Sequence, residues 1–337
     1  MESIKVHPTK TRNKIKAVGL LSGGLDSTLA AKLMLEQGIE VYAINFNSPF
    51  CTCTPKKAGC PAVVTAVKEL GGIHLKRVVL GEEYLRIVKN PNHGYGSGMN
   101  PCIDCRILKI QKAIEYMHEI NASFLFTGEV LNQRPMSQTR GPIDIIDRES
   151  NHHGYLLRPL SAMYFKSTIP EQKGWVDREK LLGITGRSRK NQISLAHEKE
   201  IRDFPCPAGG CLLTDKHFSE IIRDYFKFED YPSIKDIHLL KVGRHFRLDK
   251  GDKIIVARNE EECRTLKKLC PPKDHLFIPV DFVGPTVLLQ GAALKIAVDK
   301  MLKYTKHSVK KTDRITHYQG GRTEIVPINQ FCMDIHP

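Results

Sequence analysis

Residues 20–35, LLSGGLDSTLAAKLML, constrain this chain more than any other stretch. A short apolar run with β-branched residues, IKAVGLL (15–21), leads straight into two adjacent glycines. From Asp26 to Gln37 the apolar residues Leu29, Ala30, Leu33 and Met34 then recur at helical spacing. A strand that turns through glycines into a helix is the opening of a parallel β–α–β unit. Gly23 and Gly24 let the backbone approach an anion closely, and the helix beginning near Asp26 aims its N–H groups and dipole at that anion. Ser22, Ser27 and Thr28 add hydroxyl donors. The Gly-Lys-Ser/Thr ending of the commonest phosphate loop is missing, and a carboxylate stands inside the turn instead. Beside phosphates a carboxylate repels unless a cation intervenes, so Asp26 predicts Mg²⁺ there. Such a turn suits a departing pyrophosphate better than cleavage at γ.

The rest of the N-terminal half repeats the alternation. EVYAINF (40–46), IHLKRVVL (73–80) and ASFLFTG (122–128) read as strands, and CPAVVTAVKELGG (60–72) and CRILKIQKAIEYMHEI (105–120) as helices. This is the pattern of an α/β fold with a doubly wound parallel sheet. Ligands in such folds sit beyond the carboxyl ends of the strands, where residues 22–28, 47–60 and 128–138 fall. A short helix, QISLAHEKEI (192–201), follows among basic loops. From about residue 235 the strands become short and alternating, as in DKIIVA (252–257) and HLFIPVDF (275–282), before a long helix-like stretch at 288–307. We read a basic N-terminal arm over 1–14, a nucleotide-binding domain over 15–180, a cysteine-bearing extension over 181–232 and a smaller α+β C-terminal domain over 233–337.

Net charge is +14. Residues 235–337 hold 19 Lys and Arg against 12 Asp and Glu, a net +7 on 103 residues, and the other 234 residues share the remaining +7. Positive charge is thus over twice as dense in the C-terminal third, which points to a polyanionic partner such as nucleic acid. Lys241, Arg244, Arg247, Lys250, Lys253 and Arg258, interleaved with Phe246, suit phosphate and base-stack contacts. No apolar run is long enough to span a membrane, and the basic start has no apolar signal region, so the expected location is cytoplasmic. Ten cysteines in such a chain point to thiols that serve metals or chemistry.

SGGLDST (22–28) matches the Ser-Gly-Gly-x-Asp-Ser-Ser/Thr signature of the N-type ATP pyrophosphatases at every position, and the chain resembles that family in strand–loop–helix context as well. The resemblance implies an adenine nucleotide alpha hydrolase-like (PP-loop) fold, ATP and Mg²⁺ as cofactors, and transfer of AMP to a carbonyl oxygen. Its cofactor-binding residues are Ser22, Gly23, Gly24, Asp26, Ser27 and Thr28. The adenylate is then displaced by ammonia or by sulfur.

The cysteines bear on that choice. GYGSGMNPCIDCRILK (94–109) places Cys102 and Cys105 on one face at the start of an amphipathic helix. FPCPAGGCLLTD (204–215) sets Cys206 and Cys211 in a Pro/Gly turn. Three segments resemble tRNA-thiolating members of the superfamily. NPCIDC is similar to the Asn-Pro-x-x-x-Cys of 2-thiouridylases, which implies a catalytic role for Cys105. TGEVLNQRPMSQT (127–139) and LRPLSAMYFKS (157–167) resemble segments of 4-thiouridine synthetases. Some thiolating relatives use Cys-x-x-Cys plus a distant Cys to hold a [4Fe–4S] cluster with one open iron, and Cys102, Cys105 and Cys211 fit that pattern. The rival is a persulfide relay between Cys105 and Cys211. Cys51, Cys53 and Cys60 in FCTCTPKKAGC are equally well read as a second sulfur or metal site and as loop thiols. His152 and His153 are expected in a solvated turn.

KVGRHFRLDKGDKIIVARNEEECRTL and DHLFIPVDFVGPTVLL resemble the RNA-binding NFACT-R domain over roughly 235–317. The combined reading is an ATP-dependent tRNA uridine thiolase in which Asp26, Cys105 and Cys211 carry the chemistry. Its partners would be tRNA and a sulfur donor, either a cysteine desulfurase persulfide or inorganic sulfide, with a homodimer left open. Two alternatives stand beside it: a ligase of the 7-cyano-7-deazaguanine synthase type, and a non-catalytic RNA-binding protein that senses nucleotide.

Overall fold

A computed structural model describes residues 14–52, 61–204, 210–249 and 251–331. The chain divides into two compact units, Met1–Thr214 and Asp215–Pro337. The expected N-terminal arm lies almost wholly outside the described residues.

The first unit is built on a five-stranded sheet in the order β3–β2–β1–β4–β5, parallel at every pairing. Its strands are β1 (Lys16–Leu20), β2 (Glu40–Asn47), β3 (His74–Val79), β4 (Phe124–Thr127) and β5 (Leu156–Leu157). The helices are α1 (Leu25–Glu36), α2 (Pro61–Glu69), α3 (Glu82–Lys89), α4 (Cys102–Glu119), α5 (Arg140–Glu149), α6 (Ile169–Gln172) and α7 (Lys190–Glu198). Successive strand residues point to opposite faces, so the continuous apolar runs feed two cores at once. Ala17, Val41, Ala43, Phe124 and Phe126 pack with α1, α2 and α7 on one side. Val18, Ile44 and Leu125 pack with α4 and Ile146 of α5 on the other. That two-sided burial is the doubly wound arrangement read from the sequence. The order reverses between β1 and β4, and such switch points open a crevice at the carboxyl ends of the strands.

The second unit is α8 (Lys216–Phe228), α9 (Ile234–Leu240), β6 (Arg244–Arg247), β7 (Lys253–Val256), α10 (Glu260–Leu269), β8 (His275–Pro279), β9 (Val287–Gln290), α11 (Leu294–Lys303), β10 (Arg314–Gln319) and β11 (Arg322–Pro327). The six strands form an antiparallel sheet in the order β11–β10–β8–β9–β7–β6. Ile254, Val256, Phe277 and Leu289 pack with α11, and Ile255, Ala257, Leu276 and Leu288 pack with α9 and α10. The β10–β11 hairpin turns on Gly320 and Gly321 at φ +59° and +81°, the two left-handed positions a tight hairpin requires.

The long helix expected over 288–307 is not one element. Val287–Gln290 is a central strand paired with β7 and β8, and α11 starts only at Leu294. A short apolar run buried on both faces has no period that separates strand from helix, so only the sheet decides.

Candidate active site

Gly24 caps α1 from an extended backbone, and the amide of Thr28 closes the first helical turn on its carbonyl. The hydroxyls of Ser27 and Thr28 donate to that same carbonyl at 2.9 and 3.1 Å. Ser27 Oγ also accepts the Ser22 N–H at 3.2 Å. Ser27 and Thr28 are buried and hold the turn's shape, whereas Ser22 is exposed. Two glycines are required by close packing. A Cβ on Gly23, at φ +81°, would fall 2.5 Å from the backbone nitrogen of Val63. A Cβ on Gly128, just past β4, would fall 2.4 Å from the backbone nitrogen of Ser27. A Cβ on Gly24 would meet only the Ser22 hydroxyl, at 3.4 Å, so the space over Gly24 is open within the described residues.

Gln133 Nε2 donates to Asp26 Oδ2 at 2.9 Å, and Gln192 Nε2 of α7 reaches Gln133 Oε1 at 3.4 Å. The other carboxylate oxygen, Asp26 Oδ1, is buried and accepts no hydrogen bond among the described residues. An orphaned buried carboxylate oxygen beside a helix N-terminus is what a hard, oxygen-seeking cation would satisfy, so the residues present fit Mg²⁺.

The thiols gather at the same carboxyl edge. Cys102 and Cys105 open α4, and Asn100 Nδ2 donates to Cys102 Sγ at 3.1 Å. Asp104, between them, accepts the backbone N–H groups of Asn92 and His93, each at 3.2 Å, and tethers the preceding loop to the helix. Cys211 lies on a short segment bridged to Cys51, just beyond β2. Burial pushes the Cys211 thiol up to about 12; the Leu213 backbone and Lys109 oppose this, while Cys105 and Cys102 add to it. Burial likewise lifts the Tyr84 phenol well above its usual range, and Cys105, Cys211 and Cys102 all push the same way. The expected cysteines therefore converge around Tyr84, and Cys51 joins them. No three His, Cys, Asp or Glu among the described residues close around a single ion. Cys102, Cys105 and Cys211 are all free thiols, the ligand type an iron–sulfur cluster takes. Cys53, Cys60, Cys206 and Cys332 lie outside the described residues.

A buried charge network, missed in the sequence, sits between thiols and turn. Arg158, 5% exposed, donates through Nε to Glu129 at 2.9 Å and through both terminal nitrogens to Asp147, at 3.0 and 2.6 Å. Arg106 of α4 pairs with Glu129 from the other side. Burial works against the charged carboxylates, yet Arg106 and Arg158 hold Glu129 low, and His152 and Arg158 hold Asp147 at about 2. Three of these residues stand in the quoted segments TGEVLNQ, CRILK and LRPLS, but nothing local indicates that they meet. His152 is buried, not solvated: its Nε2 lies 3.2 Å from Asp147 Oδ1 and its Nδ1 accepts the Gly154 N–H at 3.1 Å, while His153 is exposed.

The C-terminal unit corrects the basic-face reading. Lys253 is 3% exposed, with its ammonium 3.8 Å from Asp224, and burial lowers it to about 8. Arg247 is bonded to Asp224 and Arg258 to Glu262, and Lys250 is outside the described residues. Alternation along β6 decides this: Arg247 turns toward α8, while Arg244 and Phe246 turn toward α11. There Arg244 lies over the Tyr304 ring at 4.9 Å and Lys300 over Phe246 at 4.4 Å.

Fold and turn together define an α/β domain of PP-loop type joined to an antiparallel-sheet unit. Residues 13–171 match the family model of the thiamine biosynthesis protein (ThiI), and residues 243–331 match that of the NFACT protein RNA binding domain. The chain thus has one region similar to the ThiI family model and a second region similar to the NFACT RNA-binding model. It is 24% identical over 252 residues to a tRNA-specific 2-thiouridylase MnmA of Pseudomonas fluorescens strain Pf0-1, covering 72% of this chain and 63% of that protein. With MnmA 1 of Caldanaerobacter subterraneus it shares 25% identity over 243 residues, covering 67% and 63%. The chain therefore spans less than two thirds of the length of these relatives. Among solved structures it is similar to a 4-thiouridine synthetase–RNA complex with bound ATP, at 21% identity, TM-score 0.37, covering 67% of this chain and 52% of that one. It is also similar to the U34-tRNA thiolase NcsA of Methanococcus maripaludis with its [4Fe–4S] cluster, at 21% identity, TM-score 0.34, covering 71% and 75%. Among the described residues no helix is long and apolar enough to cross a membrane.

Proposed function

We propose that the chain is an ATP-dependent tRNA uridine thiolase. The observation that carries this reading is the shared position of the pyrophosphate-type turn and the thiols, at one carboxyl edge of one sheet. The amides at the start of α1 and the Ser22 hydroxyl hold the β- and γ-phosphates, and the carboxylate of Asp26 faces them. Mg²⁺ held by Asp26 would offset the repulsion between that carboxylate and the phosphates. The uracil carbonyl oxygen attacks the α-phosphorus and pyrophosphate departs. Sulfur delivered from the thiol site then adds at the same carbon, and AMP leaves with the former carbonyl oxygen. A [4Fe–4S] cluster held by Cys102, Cys105 and Cys211 would supply an open iron for a sulfide ligand. The C-terminal unit provides phosphate contacts for tRNA.

The test incubates the full chain with ATP and bulk tRNA, follows AMP release, and analyses the tRNA nucleosides by mass spectrometry. Thiouridine should form, and Asp26→Ala should release no AMP while retaining the native circular dichroism spectrum. Equal AMP release by this variant would refute the adenylation reading.

A further inference from the structure

Cys51 and Cys211 stand opposite each other on two short antiparallel segments. The Leu212 N–H donates to the Phe50 carbonyl at 2.8 Å, and the Thr52 N–H donates to the Gly210 carbonyl at 3.3 Å. These bonds flank the two cysteines and do not join them, so the cysteines form a non-hydrogen-bonded pair. That register brings opposing Cα atoms closest, to about 4.5 Å, with both side chains on the same face. A disulfide spans a Cα separation of roughly 4.4–6.8 Å. Cys51 Sγ is held in place by the Ser48 N–H at 3.3 Å. Both thiols are free and partly exposed.

We propose that Cys51 and Cys211 are a disulfide-forming pair, and that Cys51 is the thiol that withdraws Cys211 from the sulfur site under oxidation. The oxidant is a small-molecule disulfide. One cysteine thiolate attacks it, forming a mixed disulfide and releasing one small thiol. The second cysteine thiolate then attacks the protein sulfur of that mixed disulfide and releases the second small thiol. Two electrons pass from the protein thiols to the oxidant, and the two protons end on the released thiols. Resting on the thiolase reading, the consequence is regulatory: oxidation leaves Cys102 and Cys105 without their third partner, so sulfur transfer stops until the bond is reduced.

The experiment treats the full-length, iron-free chain with oxidised glutathione, alkylates the remaining thiols and maps the non-reduced digest by mass spectrometry. The expected result is one cross-linked peptide joining Cys51 to Cys211, with both protected from alkylation and both released by reductant. Cys51→Ser should leave Cys211 open to alkylation, and Cys102→Ser should leave the cross-link intact. Two results would overturn the pairing. One is Cys211 joined to any other cysteine. The other is alkylation of Cys51 and Cys211 after oxidation at the rate seen before it. The wild-type digest decides even where Cys51→Ser fails to fold. A cross-link found in a chain that releases no AMP with tRNA would keep the pair and discard only the thiolase reading.

Discussion

Arg106 Nε lies 3.0 Å from Glu129 Oε1. Arg106 follows Cys105 on the helix that presents the thiols, and Glu129 follows Gly128, whose backbone rests against Ser27 of the SGGLDST turn. One ion pair therefore links the thiol-bearing helix to the glycine turn that opens α1. Arg158 holds the same carboxylate from behind. The thiols and the turn are fixed to each other through charged side chains that are themselves neither thiols nor part of SGGLDST.

Gly128→Ala should abolish nucleotide binding although the residue lies outside the turn. Its Cβ would sit 2.4 Å from the Ser27 nitrogen and 2.5 Å from the Asp26 carbonyl carbon, both backbone atoms that cannot step aside without moving the turn. Calorimetric titration with a non-hydrolysable ATP analogue checks this. Gly141→Ala, whose Cβ meets nothing within 4 Å, is the control and should bind as the wild type does.

Cys102→Ala separates the two sulfur mechanisms. If Cys102, Cys105 and Cys211 hold a cluster, the variant loses iron on anaerobic reconstitution and loses thiolation with it. A persulfide relay needs only Cys105 and Cys211, so it predicts near-normal thiolation by the same variant. Iron content and thiouridine yield, measured on one preparation, give the answer.

Arg158→Ala should cost on the order of 3–5 kcal/mol of stability, because it leaves the Glu129 carboxylate buried without its closest partner. Chemical denaturation measures this. The same network makes stability acid-sensitive. Asp147 titrates at 3.8 when free and at about 2 in the fold, so its contribution is fully present above 3.8 and is lost as pH falls toward 2. Glu129, also lowered, acts in the same direction. The acid limb of the stability profile should therefore be shallower in Arg158→Ala than in the wild type.

Arg244→Ala should weaken tRNA binding across all tRNA sequences and reduce the slope of log affinity against log salt by about 1, as loss of one phosphate contact does. Lys253→Met should leave affinity unchanged, since Lys253 is 3% exposed. Filter binding over a salt series distinguishes the two. Equal losses in both variants would mean that the altered fold, not the exposed charge, governs affinity.

Local residue pattern was enough to read the sheet and the turn. SGGLDST must bend through Gly23 and start a helix at once, and the strands buried on both faces read as apolar runs whose direction the intervening helices make parallel. It also brought out Cys102, Cys105 and Cys211, because thiols near a helix start and in a glycine turn are chemically conspicuous. What it could not determine were meetings between residues far apart in the chain. Gln133 reaches Asp26 across 107 positions and Thr52 reaches Gly210 across 158, contacts set by how loops fold over the end of a sheet. Strand alternation likewise decided which basic residues face outward: neighbours on β6 point to opposite sides, so Arg244 is exposed while Arg247 is held by Asp224. Local pattern fixes backbone conformation, whereas the partner of a charge depends on how elements distant in sequence pack together.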